Sequence, residues 1–219
     1  MSQGPPLTPP LMYTDIWANQ PAATVLSALL GPNPRVNYVN GNTALGGFPG
    51  ARQRVHADLT FNHAQLPFGI VTNYYLTDTD DDDDRSTAYD PTLEVKFGIR
   101  EELVERRRAY APPIQPVVRK GSVILRDLRL WHAGVANPSP VPRIMLAFVH
   151  TPWWYQCPAR VVLPEACRGL VREWAERAVS PVCYRAEYVP ADVDHKTVKF
   201  SPTLAAITRG TSGCCRKMS

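Results

Sequence analysis

The sequence predicts a mainly β fold with helices flanking the strands at both ends, closing into a small antiparallel barrel or jelly roll. Three observations lead there. Short runs of β-branched, aromatic and aliphatic residues recur between turn residues. Helical spacing is clearest before and after the main block of these runs. Twenty-two prolines punctuate the 219 residues, about twice the usual share of ~5%, which disfavours long helices. Apolar residues make up 44% of the chain, enough for one globular domain with a sizeable core.

Residues 1–12 carry four prolines and read as a flexible extension, residues 13–200 as a single domain, and residues 201–219 as a C-terminal tail. Asn19 to Leu30 reads as a helix: Asn19 caps it, Pro21 suits its first turn and Gly31-Pro32 stops it. Gly41 to Gly50 reads as a loop, turning at Gly46-Gly47 and Pro49-Gly50. Arg52 to Phe61 and Phe68 to Leu76 read as strands. Residues 78–84 hold six aspartates in seven positions and form a self-repelling, solvated loop. A calcium loop is the sharper alternative. It fails because Asp83 stands where the EF-hand needs glycine and Tyr89 where it needs glutamate. Ile99 to Ala109 reads as a helix, and Gly121-Ser122 turns into a short buried strand, Val123-Ile124-Leu125. Arg143 to His150 is an apolar strand bounded by Pro142 and Pro152. In Pro164 to Val179, Ala166, Leu170, Trp174 and Ala178 recur every four residues, and Glu173 can pair with Arg177.

The net charge is +4, but the basic residues are scattered. Arg106-Arg107-Arg108 suits a solvated helix end, so a nucleic-acid partner is not expected. Cys157, Cys167, Cys183, Cys214 and Cys215 are an odd set without paired spacing. With no apolar leader and no run of membrane-spanning length, the expectation is an intracellular protein with reduced thiols.

Chemistry is concentrated at few positions. His56 and Asp58 are two apart, so both face one side of a strand. His132 ends the run Arg126 to Trp131, beside the small residues Ala133-Gly134. Two histidines and one carboxylate are the ligand set of a ferrous ion with open coordination positions. Arg143, eleven residues after His132, shares a strand face with Met145, Ala147 and Val149. A guanidinium there needs a carboxylate to answer it, unless its stem lies on the barrel and its head reaches water. His63, His150 and His195 carry no such company, His150 having the opposite parity to Arg143. Trp153-Trp154-Tyr155 suits core and rim packing better than a substrate cage.

The stretch Gly121 to Gly134, ending Arg126-Asp127-Leu128-Arg129-Leu130-Trp131-His132-Ala133-Gly134, followed by Asn137, Pro142-Arg143 and Ile144-Met145-Leu146, resembles the signature of the phytanoyl-CoA dioxygenase family, especially its fungal members. Gln53-Arg54-Val55-His56-Ala57-Asp58 resembles that family's first metal-binding strand. The resemblance covers roughly residues 20–76 and 112–156. It implies a cupin-like double-stranded β-helix (jelly roll) that uses Fe(II), O₂ and 2-oxoglutarate as cosubstrate to oxidise a small organic molecule. By position, His56, Asp58 and His132 would hold the metal, Arg143 the distal carboxylate of 2-oxoglutarate, and Gln53 a polar contact to the same molecule. A carboxylate at Asp58 fills the site a halide would need, which implies hydroxylation or desaturation. The substrate's identity and the oligomeric state stay open.

Two departures from the family pattern stand out. Only 55 residues precede His56, and the family's Asn-Gly and Pro-Gly-Thr-His elements after Leu76 are not recognisable in residues 77–111. A second expectation follows: a shortened, catalytically impaired jelly roll that keeps the ligands as a binding or vestigial module. A zinc hydrolase is a third, with no His-Glu-x-x-His helix and no task for Arg143.

Overall fold

The computed structural model describes residues 2–47, 52–58, 67–79, 98–177 and 182–193. Its centre is a six-stranded sheet: β1 (Ser2–Gln3), β2 (Arg35–Ala44), β3 (Ile70–Tyr75), β4 (Val123–Asp127), β5 (Arg143–Thr151) and β7 (Cys183–Tyr184), in the order β1-β2-β5-β3-β4 with β7 on β2. All pairings except β2–β7 are antiparallel. A two-stranded parallel sheet, β6 (Val161–Pro164) with β8 (Ala186–Val189), lies beside it. Four helices flank the strands: α1 (Thr14–Trp17), α2 (Gln20–Leu30), α3 (Glu101–Arg108) and α4 (Arg168–Ala175). The fold is mainly β with flanking helices, a jelly roll as the sequence predicts.

Local chemistry explains several boundaries. Asn19 Oδ1 accepts from Ala22 N–H at 2.8 Å and so caps α2. Gly31, at φ +83°, ends it in a conformation that side chains rarely adopt. Ala22, Ala23, Leu26 and Leu30 make its buried stripe. The helix expected from Pro164 to Val179 is a 3-10 turn over Glu165–Cys167 and then α4, with Glu173 and Arg177 3.6 Å apart. Its last positions lie outside the described residues, as do Asp80–Asp84, Leu59–Phe61, His63, His195 and the 201–219 tail.

Three expectations change. Gly41 to Ala44, read as the start of a loop, instead complete β2, which pairs with β5 from Arg35↔Thr151 to Ala44↔Arg143. Asn37, Asn40, Asn42 and Gly41 disfavour a strand locally, but the long ladder with β5 overrides them. Arg52 to Asp58 is not a continuous strand: residue 56 bridges Gly98 on one side and His132 on the other. The proline-rich start is not free of the body either. Its Ser2–Gln3 pair with Asn42 and Gly41, and Met12 is buried.

The pleat sorts the sheet into two faces. Val36, Leu146, Phe148 and Tyr74 face α1, α2 and α4 in the main core with Trp17 and Trp174. Trp17 meets Phe148 edge-on at 5.0 Å between ring centroids, an arrangement aromatic pairs favour. His150 lies on this side, buried, with its Nε2 3.0 Å from Thr72 Oγ1. The opposite face carries Tyr38, Val71, Ala147 and Val149, packed with Phe68 and Leu128. By register, Arg143, Met145, Asn73, Tyr75 and Arg126 share that face. Trp153 and Trp154 sit half-exposed at its rim, and Tyr155 turns inward to Phe68, 5.5 Å between centroids.

Candidate metal centre

His56, Asp58 and His132 meet above the second face of the sheet. The backbones of His56 and His132 exchange two hydrogen bonds, each 2.9 Å, so the two rings leave a single narrow ladder side by side, their centroids 4.2 Å apart. On the other side of His56, Ile99 N–H donates to Val55 O at 2.7 Å. Residues 98–99 therefore form part of the wall next to the histidine. Asp58 is fixed through its N–H, which donates to Leu128 O at 3.1 Å, while Leu128 N–H donates to Gly69 O at 3.0 Å. Leu128 is fully buried, and Gly69 is required beside it: a Cβ there would lie 2.3 Å from Leu128 Cδ1. The turn that delivers His132 is held by Asp127, whose carboxylate accepts from Arg129 N–H at 2.8 Å and from its guanidinium at 2.9 and 2.7 Å.

Asp58 Oδ1 lies 3.9 Å from His56 Nε2 and 3.6 Å from His132 Nε2. One donor atom from each of the three residues falls within 4.8 Å of the others. Donors ~2.1 Å from one ion at right angles are ~3.0 Å apart, so each histidine would have to close on Asp58 Oδ1 by under about 1 Å to share an ion with it. Both Nδ1 atoms face backbone carbonyls, His56 that of Arg54 and His132 that of Leu130, each at 3.0 Å. At His56, where Nδ1 meets only that carbonyl, a proton on Nδ1 leaves Nε2 as the lone-pair donor pointing inward, the tautomer a metal requires. The donor set and its convergence fit a divalent ion of the iron class.

Sequence reasoning missed Arg126. Its Nη2 donates to Asp58 Oδ2 at 2.6 Å, and its Nη1 lies 3.2 Å from His132 Nδ1. One carboxylate oxygen is thus committed to the guanidinium and the other to the ligand cluster. Burial first, then the Arg126 charge, push the His132 imidazole down from 6.5 to about 4, with Asp58 opposing. His132 is therefore neutral near pH 7, ready to ligate. The available signal was an arginine directly after three apolar residues in a strand.

Arg143 opens β5, and its Nη2 donates to Val135 O at 3.0 Å, three residues past His132. Tyr75 lies within electrostatic reach of both Arg143 and Arg126; burial raises its pKa and the two cations oppose that rise. Gln53 lies against Gly134: its N–H donates to Gly134 O at 2.8 Å and its Oε1 accepts from Gly134 N–H at 3.0 Å. A Cβ on residue 134 would come within 2.9 Å of that Oε1, so glycine permits the contact. Asn73, between Ile124 and Ala147, buries an Oδ1 on the same face that has no partner among the described residues.

No protein-family model matches the sequence. Solved structures with a similar fold include HygX from Streptomyces hygroscopicus with nickel and 2-oxoglutarate bound, at 13% identity and TM-score 0.51, covering 74% of this chain and 73% of that one. EctD from S. alaskensis matches at TM-score 0.50 with bound Fe (18% identity) and in its apoform (20% identity), each covering 84% of this chain and 65% of EctD. EvdMO1 matches over 60% of this chain but only 30% of its own length, at 18% identity and TM-score 0.44. The chain thus spans less than two thirds of EctD and of EvdMO1. At these identities the likeness to HygX and EctD establishes the fold alone. Among the described residues no helix is long and apolar enough to cross a membrane, and Cys157, Cys167 and Cys183 are free.

Proposed function

We propose that this chain is an Fe(II)- and 2-oxoglutarate-dependent dioxygenase of the phytanoyl-CoA dioxygenase type. It would hydroxylate or desaturate a C–H bond of a small organic substrate. The observation that carries the reading is the convergence of His56, Asp58 and His132 on one point, with both Nε2 atoms facing Asp58 Oδ1. HygX holding nickel and 2-oxoglutarate and EctD holding Fe support it as relatives in fold.

In this reading the three side chains hold the ion, which supplies the oxidative chemistry with O₂ and 2-oxoglutarate. The protein's own groups do the rest. Leu130 and Arg54 carbonyls keep the imidazoles oriented. Asp58 ligates through one oxygen because Arg126 occupies the other. Arg143 offers a planar fork to the distal carboxylate of 2-oxoglutarate, and Gln53 sits on the adjoining Gly134 segment where a further polar contact is within reach. Phe68, Leu128, Val71 and Val149 make the wall apolar and exclude water.

Anaerobic titration with Fe(II) and then 2-oxoglutarate tests this. A metal-to-ligand charge-transfer band should appear only with both present, and admission of O₂ should release succinate. Iron binding without that band would leave only a metal-binding module.

A further inference from the structure

Three arginines that take no part in the His56, Asp58 and His132 cluster lie on neighbouring segments. Arg35 opens β2, Arg185 lies between β7 and β8, and Arg160 immediately precedes β6. The backbone holds these segments side by side. Arg185 N–H donates to Val36 O at 2.9 Å, Val161 N–H donates to Arg185 O at 2.8 Å, and Arg35 pairs with Cys183. Burial, and after it the charges of Arg160 and Arg35, hold the Arg185 pKa below the usual arginine value.

Like charges gathered this way normally surround a carboxylate. Here none of the three forms an ion pair among the described residues. Arg160 bends back on its own loop, its Nη1 donating to the carbonyls of Cys157, Pro158 and Ala159 at 3.0, 3.1 and 3.0 Å. Arg185 has no such relief: its Nη1 is buried and has no acceptor among the described residues. A buried donor left unmet costs its full desolvation, and a charged one costs more. An oxyanion supplies what is missing, both the acceptors and the opposite charge.

We propose that Arg35, Arg160 and Arg185 form a binding site for a phosphate-type oxyanion, independent of the metal centre. Guanidinium forks match tetrahedral and planar oxyanions alike. Three of them on adjacent segments favour a dianion over a single carboxylate. The phosphate is either the free ion or the phosphoryl group of a larger molecule.

The test is thermal unfolding of the full chain in inorganic phosphate, in β-glycerophosphate and in acetate at matched ionic strength. Phosphate should raise the melting temperature saturably and acetate should not. A similar rise with β-glycerophosphate assigns the site to phosphoryl groups, and its absence to the free ion; either supports the proposal. In Arg185→Met the apolar stem is kept, so in phosphate-free buffer the variant should melt no lower than the parent. Its apparent phosphate affinity should fall roughly tenfold or more, the value of a charge-assisted hydrogen bond. Arg35→Met, at the mouth of β2, should weaken phosphate in the same direction and serves if Arg185→Met does not fold. Equal effects of phosphate and acetate, or a phosphate effect that survives both substitutions, would overturn the site. So would a loss of stability in Arg185→Met that is the same with and without phosphate.

Discussion

Replacing Arg126 by methionine should weaken the metal-free protein and tighten its hold on a divalent ion. The guanidinium lies 2.6 Å from Asp58 Oδ2, with the two side chains 15% and 17% exposed. Removing one partner of a fully buried pair costs roughly 3–5 kcal/mol. Partial contact with water reduces that here to about 2–3 kcal/mol. A divalent ion at the ligand cluster competes with Arg126 for the same carboxylate. Charges of +2 and +1 about 5 Å apart repel by roughly 7 kcal/mol at an effective dielectric constant of about 20. Part of that gain is lost as Asp58 becomes less well held, so a net tightening of roughly tenfold or more is expected. Urea unfolding followed by tryptophan fluorescence, in EDTA and in saturating Mn(II), measures the stability difference, and free Mn(II) by electron paramagnetic resonance measures affinity. The gap between variant and parent should narrow when Mn(II) is present. An unchanged gap, or weaker Mn(II) binding by the variant, would mean that Arg126 serves to hold Asp58 in place and does not compete with the metal for its charge.

Acid should destabilise the metal-free protein. The imidazoles of His132 and His150 are pushed to about 4 and about 3, both chiefly by burial. Folded values below the unfolded 6.5 mean that stability is full above that pH and is lost as pH falls toward the folded values. The slope should approach ~2.7 kcal/mol per pH unit between pH 6 and 4, two protons' worth. His150→Gln should halve it; urea midpoints that do not move over this range would contradict buried neutral rings. Arg143→Lys should weaken 2-oxoglutarate binding by roughly tenfold or more while leaving Fe(II) binding nearly unchanged, because lysine cannot reproduce the planar fork; equal losses in the two titrations would remove its proposed role. Gly69→Ala places a Cβ 2.3 Å from Leu128 Cδ1 and should cost about 1–3 kcal/mol by overpacking. Because Leu128 O holds the Asp58 N–H, Mn(II) binding should weaken as well, and an unaltered isotherm would show that the strain stops at Leu128.

What the sequence made legible was local. The Asn19 cap and the Gly31 stop fix α2 from its own residues, and the apolar run from Ile144 to Val149 fixes β5 whatever it pairs with. Parity alone put Arg143 on the face of Ala147 and Val149, and His150 on the other. β2 was hidden because its asparagines and Gly41 speak against a strand, and only β5, more than a hundred residues away, supplies the ladder that overrides them. The spacing of His56 and Asp58 put both on one side of the chain. Their meeting with His132 depends on a single bridge between distant segments, with Gly98 closing the opposite flank.

The arginines show why side-chain roles were harder to read than backbone. Arg126 and Arg129 are three residues apart in the same stretch. Arg129 closes on Asp127, two residues away, and steadies a turn. Arg126 reaches Asp58, 68 positions earlier in the chain, and enters the candidate metal centre. Nothing in the intervening residues separates the two cases; the direction of each side chain is decided by where β4 ends against β3. Arg35, Arg160 and Arg185 carry the same lesson further. In the sequence they are three scattered charges within a modest excess of +4. Folding places them on adjacent segments at the start of β2, β6 and β8, and one buried nitrogen among them lacks an acceptor among the described residues. Scattered charge therefore excludes a continuous basic stripe, but it does not exclude a compact site assembled by the fold.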